Sequence, residues 1–143
     1  MTLRRLAFRL EPGADLRAGI DAACRKHRVR SGAIVTCVGS LQCARLRFAG
    51  AESLATVEGP LEIVSLVGTV AANGSHLHIA VADAAGGVTG GHLALGSIVF
   101  TTAEIVVLED SDVAFARVHD SATGYRELEV RRHARMRRRK ISQ

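Results

Sequence analysis

The chain has 143 residues, 48% of them apolar but only 3% aromatic, no Trp, and a formal net charge of +5. That length fits one domain and is enough to bury a core without staples, and no apolar run approaches the roughly 18 residues a membrane helix needs. The charge does not describe a uniformly basic nucleic-acid surface: seven Arg/Lys and no acid stand between Arg131 and Gln143, which leaves twelve bases against fourteen acids in residues 1–130.

With aromatics scarce, the core must come from Val, Ile, Leu and Ala, a composition that favours strands. Cys24, Cys37 and Cys43 are odd in number and form no Cys-x-x-Cys pair. With no apolar signal stretch at the start, they read as free, buried thiols of a cytoplasmic protein.

In chain order, Leu6, Phe8 and Leu10 share one face of a strand over Leu3–Leu10, stopped by Glu11-Pro12-Gly13. Asp15 caps a helix whose apolar stripe is Leu16, Ile20, Ala23, Cys24 and His27. Ala33–Gly39 is a short apolar strand. Ala44, Leu46 and Phe48 alternate with Arg45 and Arg47, giving a second strand with one wet face. Gly50–Thr56 reads as a loop and Leu61–Val70 as a strand that starts after Gly59-Pro60. His76–Ala82 and Val88–Leu95 flank a turn; Ile98–Leu108, Val113–His119 and Tyr125–Val130 complete the strands. The order predicts an α+β fold, a mostly antiparallel sheet covered by one main helix. Residues 1–130 form the domain, and residues 131–143 a basic, flexible tail carrying Arg131, Arg132, Arg135, Arg137, Arg138, Arg139 and Lys140.

Spacing turns into chemistry at three histidines. His76 and His78 are two apart in a strand pattern and share a face, while Leu77, Ile79 and Val81 point to the core. A three-residue hairpin loop, Ala84-Ala85-Gly86 with Gly86 left-handed, pairs Asp83 with Gly87 and sets His92 directly opposite His78. That register gathers Leu77, Ile79, Leu93 and Leu95 on one face and the three histidines on the other. Opposed Cβ atoms lie roughly 5 Å apart, close enough for imidazoles to converge on zinc or a similar divalent transition metal. Gly90-Gly91 makes room beside His92 for a ligand or another backbone. Glu104 is a candidate fourth ligand or general base. The alternative is an ordinary polar strand face, and a one-residue register slip would separate His92 from the others.

His76-Leu-His78, Gly86, Gly90-Gly91-His92-Leu93 and Thr101-Thr102-Ala103-Glu104-Ile105-Val106-Val107 together resemble the PPC ("plants and prokaryotes conserved") domain. Leu10-Glu11-Pro12-Gly13-Ala14-Asp15-Leu16, Arg30-Ser31-Gly32-Ala33 and Gly39-Ser40-Leu41 extend the resemblance over about residues 4–130. Gly59, Glu62 and Ile63 match that family's interaction segment, with Pro60 and Leu61 standing where the family has Arg-Phe. The resemblance implies a homotrimer, a three-histidine metal-type site and, for free-standing bacterial members, association with DNA. No Arg-Gly-Arg-Pro minor-groove hook is present.

Two functions follow. The preferred one is a DNA-associated regulatory binding protein, its basic tail multiplied by the trimer into an array that releases counterions on binding phosphates. The other is a metal-dependent hydrolase or lyase that uses the three histidines, with Glu104 or Asp83 as base. No nucleophile elbow, phosphate loop or dinucleotide fingerprint is present.

Overall fold

A computed structural model describes residues 3–132. β1 (Leu3–Leu10) leads into α1 (Leu16–Lys26), followed by β2 (Ser31–Arg47), β3 (Ala55–Ala71), β4 (Gly74–Ala82), β5 (Val88–Leu93), β6 (Ile98–Asp110), β7 (Val113–His119) and β8 (Arg126–Arg132). All pairings are antiparallel, in the order β1-β6-β2-β3-β4-β5. β5 also pairs with the end of β2, through Leu46–Leu93 and Arg47–His92. β2, β3, β4 and β5 therefore close into a ring of hydrogen-bonded neighbours. β7 and β8 form a separate two-stranded sheet. No helix among the described residues is long and apolar enough to cross a membrane.

The helix forms where its cap and stripe predict. Asp15 accepts from the Ala18 N–H at 2.9 Å, and its other carboxylate oxygen accepts from the Gly96 N–H at 2.6 Å, so one side chain both caps α1 and ties it to the segment before β6. Leu16, Ile20 and Cys24 are buried against the sheet, whereas His27 is the exposed C-cap. The core is aliphatic: Leu41, Leu46, Leu61, Leu77, Val81, Leu93, Val99, Ile105 and Val107 are all nearly inaccessible. Cys24, Cys37 and Cys43 are free thiols, and burial pushes Cys24 up to about 11 and Cys37 up to about 12.

Several expected boundaries change. The two strands read at Ala33–Gly39 and Ala44–Phe48 are one 17-residue strand, kept in the sheet by register shifts at Ile34/Thr36, Gly39/Leu41 and Leu41/Cys43. Part of the loop read at Gly50–Thr56 is already strand: β3 starts at Ala55 and runs through Gly59-Pro60, opposite the irregularity at Leu41/Cys43, where a proline costs no ladder hydrogen bond. Leu95 does not join the core; β5 ends at Leu93 and Leu95 is 60% exposed. Arg131 and Arg132, expected in the tail, are strand residues opposite Ala114 and Val113. Arg135, Arg137, Arg138, Arg139 and Lys140 lie outside the described residues.

One position fixes how β3 meets β4. Gly68 has φ +151°, and a Cβ there would lie 2.0 Å from the His76 carbonyl oxygen. Gly68→Ala must therefore displace backbone directly beside the histidine strand. We expect it to lower unfolding free energy by more than about 2 kcal/mol in urea titration, a large single-residue effect; an unchanged midpoint would contradict this register.

Candidate metal centre

The β4–β5 hairpin is built by its turn. The Asp83 N–H donates to the Gly87 carbonyl at 2.9 Å, and the Gly86 N–H donates back to the Asp83 carbonyl at 3.0 Å. The Asp83 carboxylate accepts from the Ala85 and Gly87 N–H groups at 2.9 and 2.8 Å. Gly86 takes φ +82°, the left-handed conformation this loop needs. The register that follows sets Ala82 against Val88 and, four pairs on, His78 against His92. Asp83 is therefore a turn former rather than a base.

β4 alternates cleanly. Ser75, Leu77, Ile79 and Val81 are buried, and His76 and His78 emerge on the other face. Gly90 and Gly91 make room for backbone rather than for a ligand: Cβ atoms there would sit 2.6 Å from the Ile79 carbonyl oxygen and 2.8 Å from that of Arg47. Their smallness lets β5 lie tightly between β4 and β2.

The three imidazoles form a triangle, with ring centroids 4.9 Å (His76–His78), 5.1 Å (His76–His92) and 5.6 Å (His78–His92) apart. One nitrogen from each lies within 4.8 Å of the other two. His76 Nε2 and His78 Nε2 are 3.1 Å apart. Two nitrogens about 2.0–2.1 Å from one tetrahedral ion would be about 3.3–3.4 Å apart, so this pair needs almost no adjustment. His92 Nδ1 is buried without a hydrogen-bond partner, and His92 Nε2 lies 3.2 Å from the Arg17 guanidinium. The donor set is three imidazoles and no carboxylate, which suits zinc, copper, nickel or iron rather than magnesium or calcium. The residues fit a transition-metal ion.

The site's electrostatics disfavour the protonated forms of His76 and His92, as ligation requires. His92 is lowered to about 4, chiefly by burial and then by the Arg17 charge; His76 is also lowered, by burial and then by Arg117. Arg17 is held by the Leu93 carbonyl at 2.6 Å and the Ser75 carbonyl at 3.3 Å. The guanidinium of Arg117, largely buried, donates to Thr69 Oγ1, and Thr69 pairs with His76. Both cations are thus fixed around the histidines.

Beside the triangle opens a cleft of about 470 Å³ lined by Arg17, Arg47, Ser75, His76, His92 and, from the β7–β8 hairpin, Arg117, Tyr125, Arg126 and Glu127. Sequence reasoning missed Arg17, Arg117, Arg126 and Glu127, which no motif marks. Arg47, expected on a wet strand face, lines this cleft, and its guanidinium lies 5.8 Å from the ring centroid of the exposed Tyr125. Glu104 is exposed on β6 between Arg9 and Val38 and belongs neither to the histidine group nor to the cleft. Ile63 of the expected interaction segment is buried in the core, leaving Glu62 exposed beside it. Gly59 lies on β3, where a Cβ would meet the Gln42 carbonyl oxygen at 2.4 Å.

The family model for the Plants and Prokaryotes Conserved (PCC) domain matches residues 1–111, which include all three histidines and end just before the β7–β8 hairpin. A hypothetical protein from Salmonella cholerae-suis is 37% identical, with a TM-score of 0.89 over 93% of this chain and 96% of that one. A metal-containing protein from Archaeoglobus fulgidus is 28% identical, with a TM-score of 0.75 over 88% of this chain and 93% of that one. The bifunctional protein GlmU of Synechococcus sp. strain JA-3-3Ab is 41% identical over 133 residues, 93% of this chain; the chain spans about a fifth (21%) of that protein's length.

The lowered histidines give stability a defined pH dependence. Below the ordinary value of 6.5, the unfolded chain takes up protons that folded His92 refuses until about pH 4. With chelator present, the urea midpoint should therefore fall as pH drops from 6.5 to 4, and His92→Gln should flatten part of that fall. A midpoint that rises over this window would contradict the assignment.

Proposed function

The chain belongs to the Plants and Prokaryotes Conserved (PCC) domain family, and from that premise we propose that it is a transition-metal-binding module whose ion, zinc or a similar divalent metal, is held by His76, His78 and His92. The observation that carries this reading is the convergence of three imidazoles, with one nitrogen of each within 4.8 Å of the others and no carboxylate in the set. Three protein nitrogens leave a coordination position for a ligand, the arrangement of reactive rather than closed structural zinc sites. The related Archaeoglobus fulgidus protein is itself metal-containing.

When bound, such an ion supplies Lewis acidity toward an oxygen at that open position. The chain's own residues do the rest. The Asp83 turn sets the register, Arg17 bridges β4 and β5 through the Ser75 and Leu93 carbonyls, and the cleft admits the ligand. If the module is a hydrolase or lyase, Glu127 is the carboxylate on the cleft and takes the role of base first given to Glu104.

Trimer formation belongs to the same reading. Val35, Val38, Val64, Val67 and Phe100 are exposed on β2, β3 and β6, an apolar surface that a second copy would cover. His78 stands opposite Val67, so the metal site adjoins that surface. Three free thiols fit a reducing cytoplasm. A second reading, DNA association, rests on the cluster of seven Arg/Lys from Arg131 onward. It assigns non-specific phosphate contacts to the C-terminus and leaves the histidine centre its own role.

Elemental analysis of the untagged chain should find close to one zinc, nickel or similar ion per chain, lost in His78→Ala without loss of fold. Absence of metal after incubation with zinc would overturn the centre. Removing residues 133–143 should abolish duplex binding at low salt and leave metal content unchanged.

A further inference from the structure

The cleft beside the histidines is more cationic than a metal site requires. Arg17 from α1, Arg47 from the end of β2, Arg117 from β7 and Arg126 from β8 all line it, against the single carboxylate of Glu127. Ion pairs among the described residues join Arg4 to Glu109 and Arg131 to Glu129, and none involves these four arginines. Arg117 is only 7% exposed, and its Nε is buried without a hydrogen-bond partner. Glu127 is the one carboxylate on the cleft that acts on this buried guanidinium, and it does not balance four like charges that repel one another around one cleft. Such an arrangement is favourable when an anion completes it.

The cations are also held in place. The Asn73 side chain exchanges two hydrogen bonds with the Arg117 backbone, at 2.8 and 3.0 Å, which docks β7 onto the β3–β4 turn. Arg126 donates to the Arg117 carbonyl at 2.9 Å, and Arg47 lies over the Tyr125 ring. Arg117, Tyr125, Arg126 and Glu127 all come from the hairpin at Val113–Arg132, which follows the family-matched residues 1–111. The hairpin thus turns an open histidine face into a walled, charged cleft.

We propose that this cleft binds a small oxyanion-bearing molecule, a carboxylate or a phosphate, which Arg47, Arg117 and Arg126 hold next to the three-histidine centre. Guanidinium groups match the planar geometry of carboxylate and the oxygens of phosphate. A volume of about 470 Å³ fits a metabolite and not a duplex. His76 and His92 form the wall of the cleft, so a second oxygen of the same molecule reaches the metal position. That second contact rests on the metal-binding reading; recognition by the arginines does not.

The test titrates inorganic phosphate and, separately, succinate into the full-length chain at low salt, followed by calorimetry, once after zinc loading and once with chelator. Saturable binding of at least one probe, at one site per chain, is expected, and the tighter probe assigns phosphate or carboxylate. Arg47→Ala and Arg126→Ala should each weaken binding about tenfold, the loss of one charge-assisted contact, while zinc content stays the same. Arg126 is exposed, so its replacement leaves the core intact. Failure of both probes to bind at millimolar concentration, or binding equally strong in both variants, overturns the proposal. If the chain takes up no zinc, arginine-dependent binding in chelator still supports the cleft while the metal reading fails on its own.

Discussion

The register of one hairpin governs this molecule. Asp83 and Gly86 fix a three-residue turn, and from it every β4–β5 pair follows, ending with His78 against His92. Because strand side chains alternate, the same register sends Leu77, Ile79 and Val81 into the core while it brings the histidines together. A slip of one residue would invert both sets at once. Core burial therefore holds the site in register far more firmly than any contact among the histidines.

A second constraint acts on charge. Burial and the nearby guanidinium groups disfavour protonated imidazole at His76 and His92, so these two present lone pairs near neutral pH. The same arginines raise the positive potential of the cleft. A divalent ion held there would add to it and would favour an accompanying anion. Metal and oxyanion are therefore coupled in this account: each makes the site more hospitable to the other.

The sequence revealed the centre of the molecule better than its edges. The hairpin was legible because a short loop and strict alternation determine pairing arithmetically, and the helix because Asp15, Leu16, Ile20 and Cys24 mark its cap and face. β2 and β3 were read as shorter pieces because bulges and an internal Gly59-Pro60 imitate strand ends; pairing on both sides of β2 carries the backbone across them. Leu95 looked like core by alternation alone, but β5 stops two residues earlier. The arginine cleft was hidden because its members are scattered from Arg17 to Arg126 and meet only when β7 docks on the β3–β4 turn through Asn73. Glu104 shared a motif with the family but not a place near the histidines.

X-ray absorption at the metal edge of the zinc-loaded chain tests the central claim most directly. Three imidazole nitrogens at about 2.0–2.1 Å, with a light, non-imidazole atom completing the shell, are expected. A sulfur shell at about 2.3 Å, or scattering from fewer than three imidazoles, would contradict it.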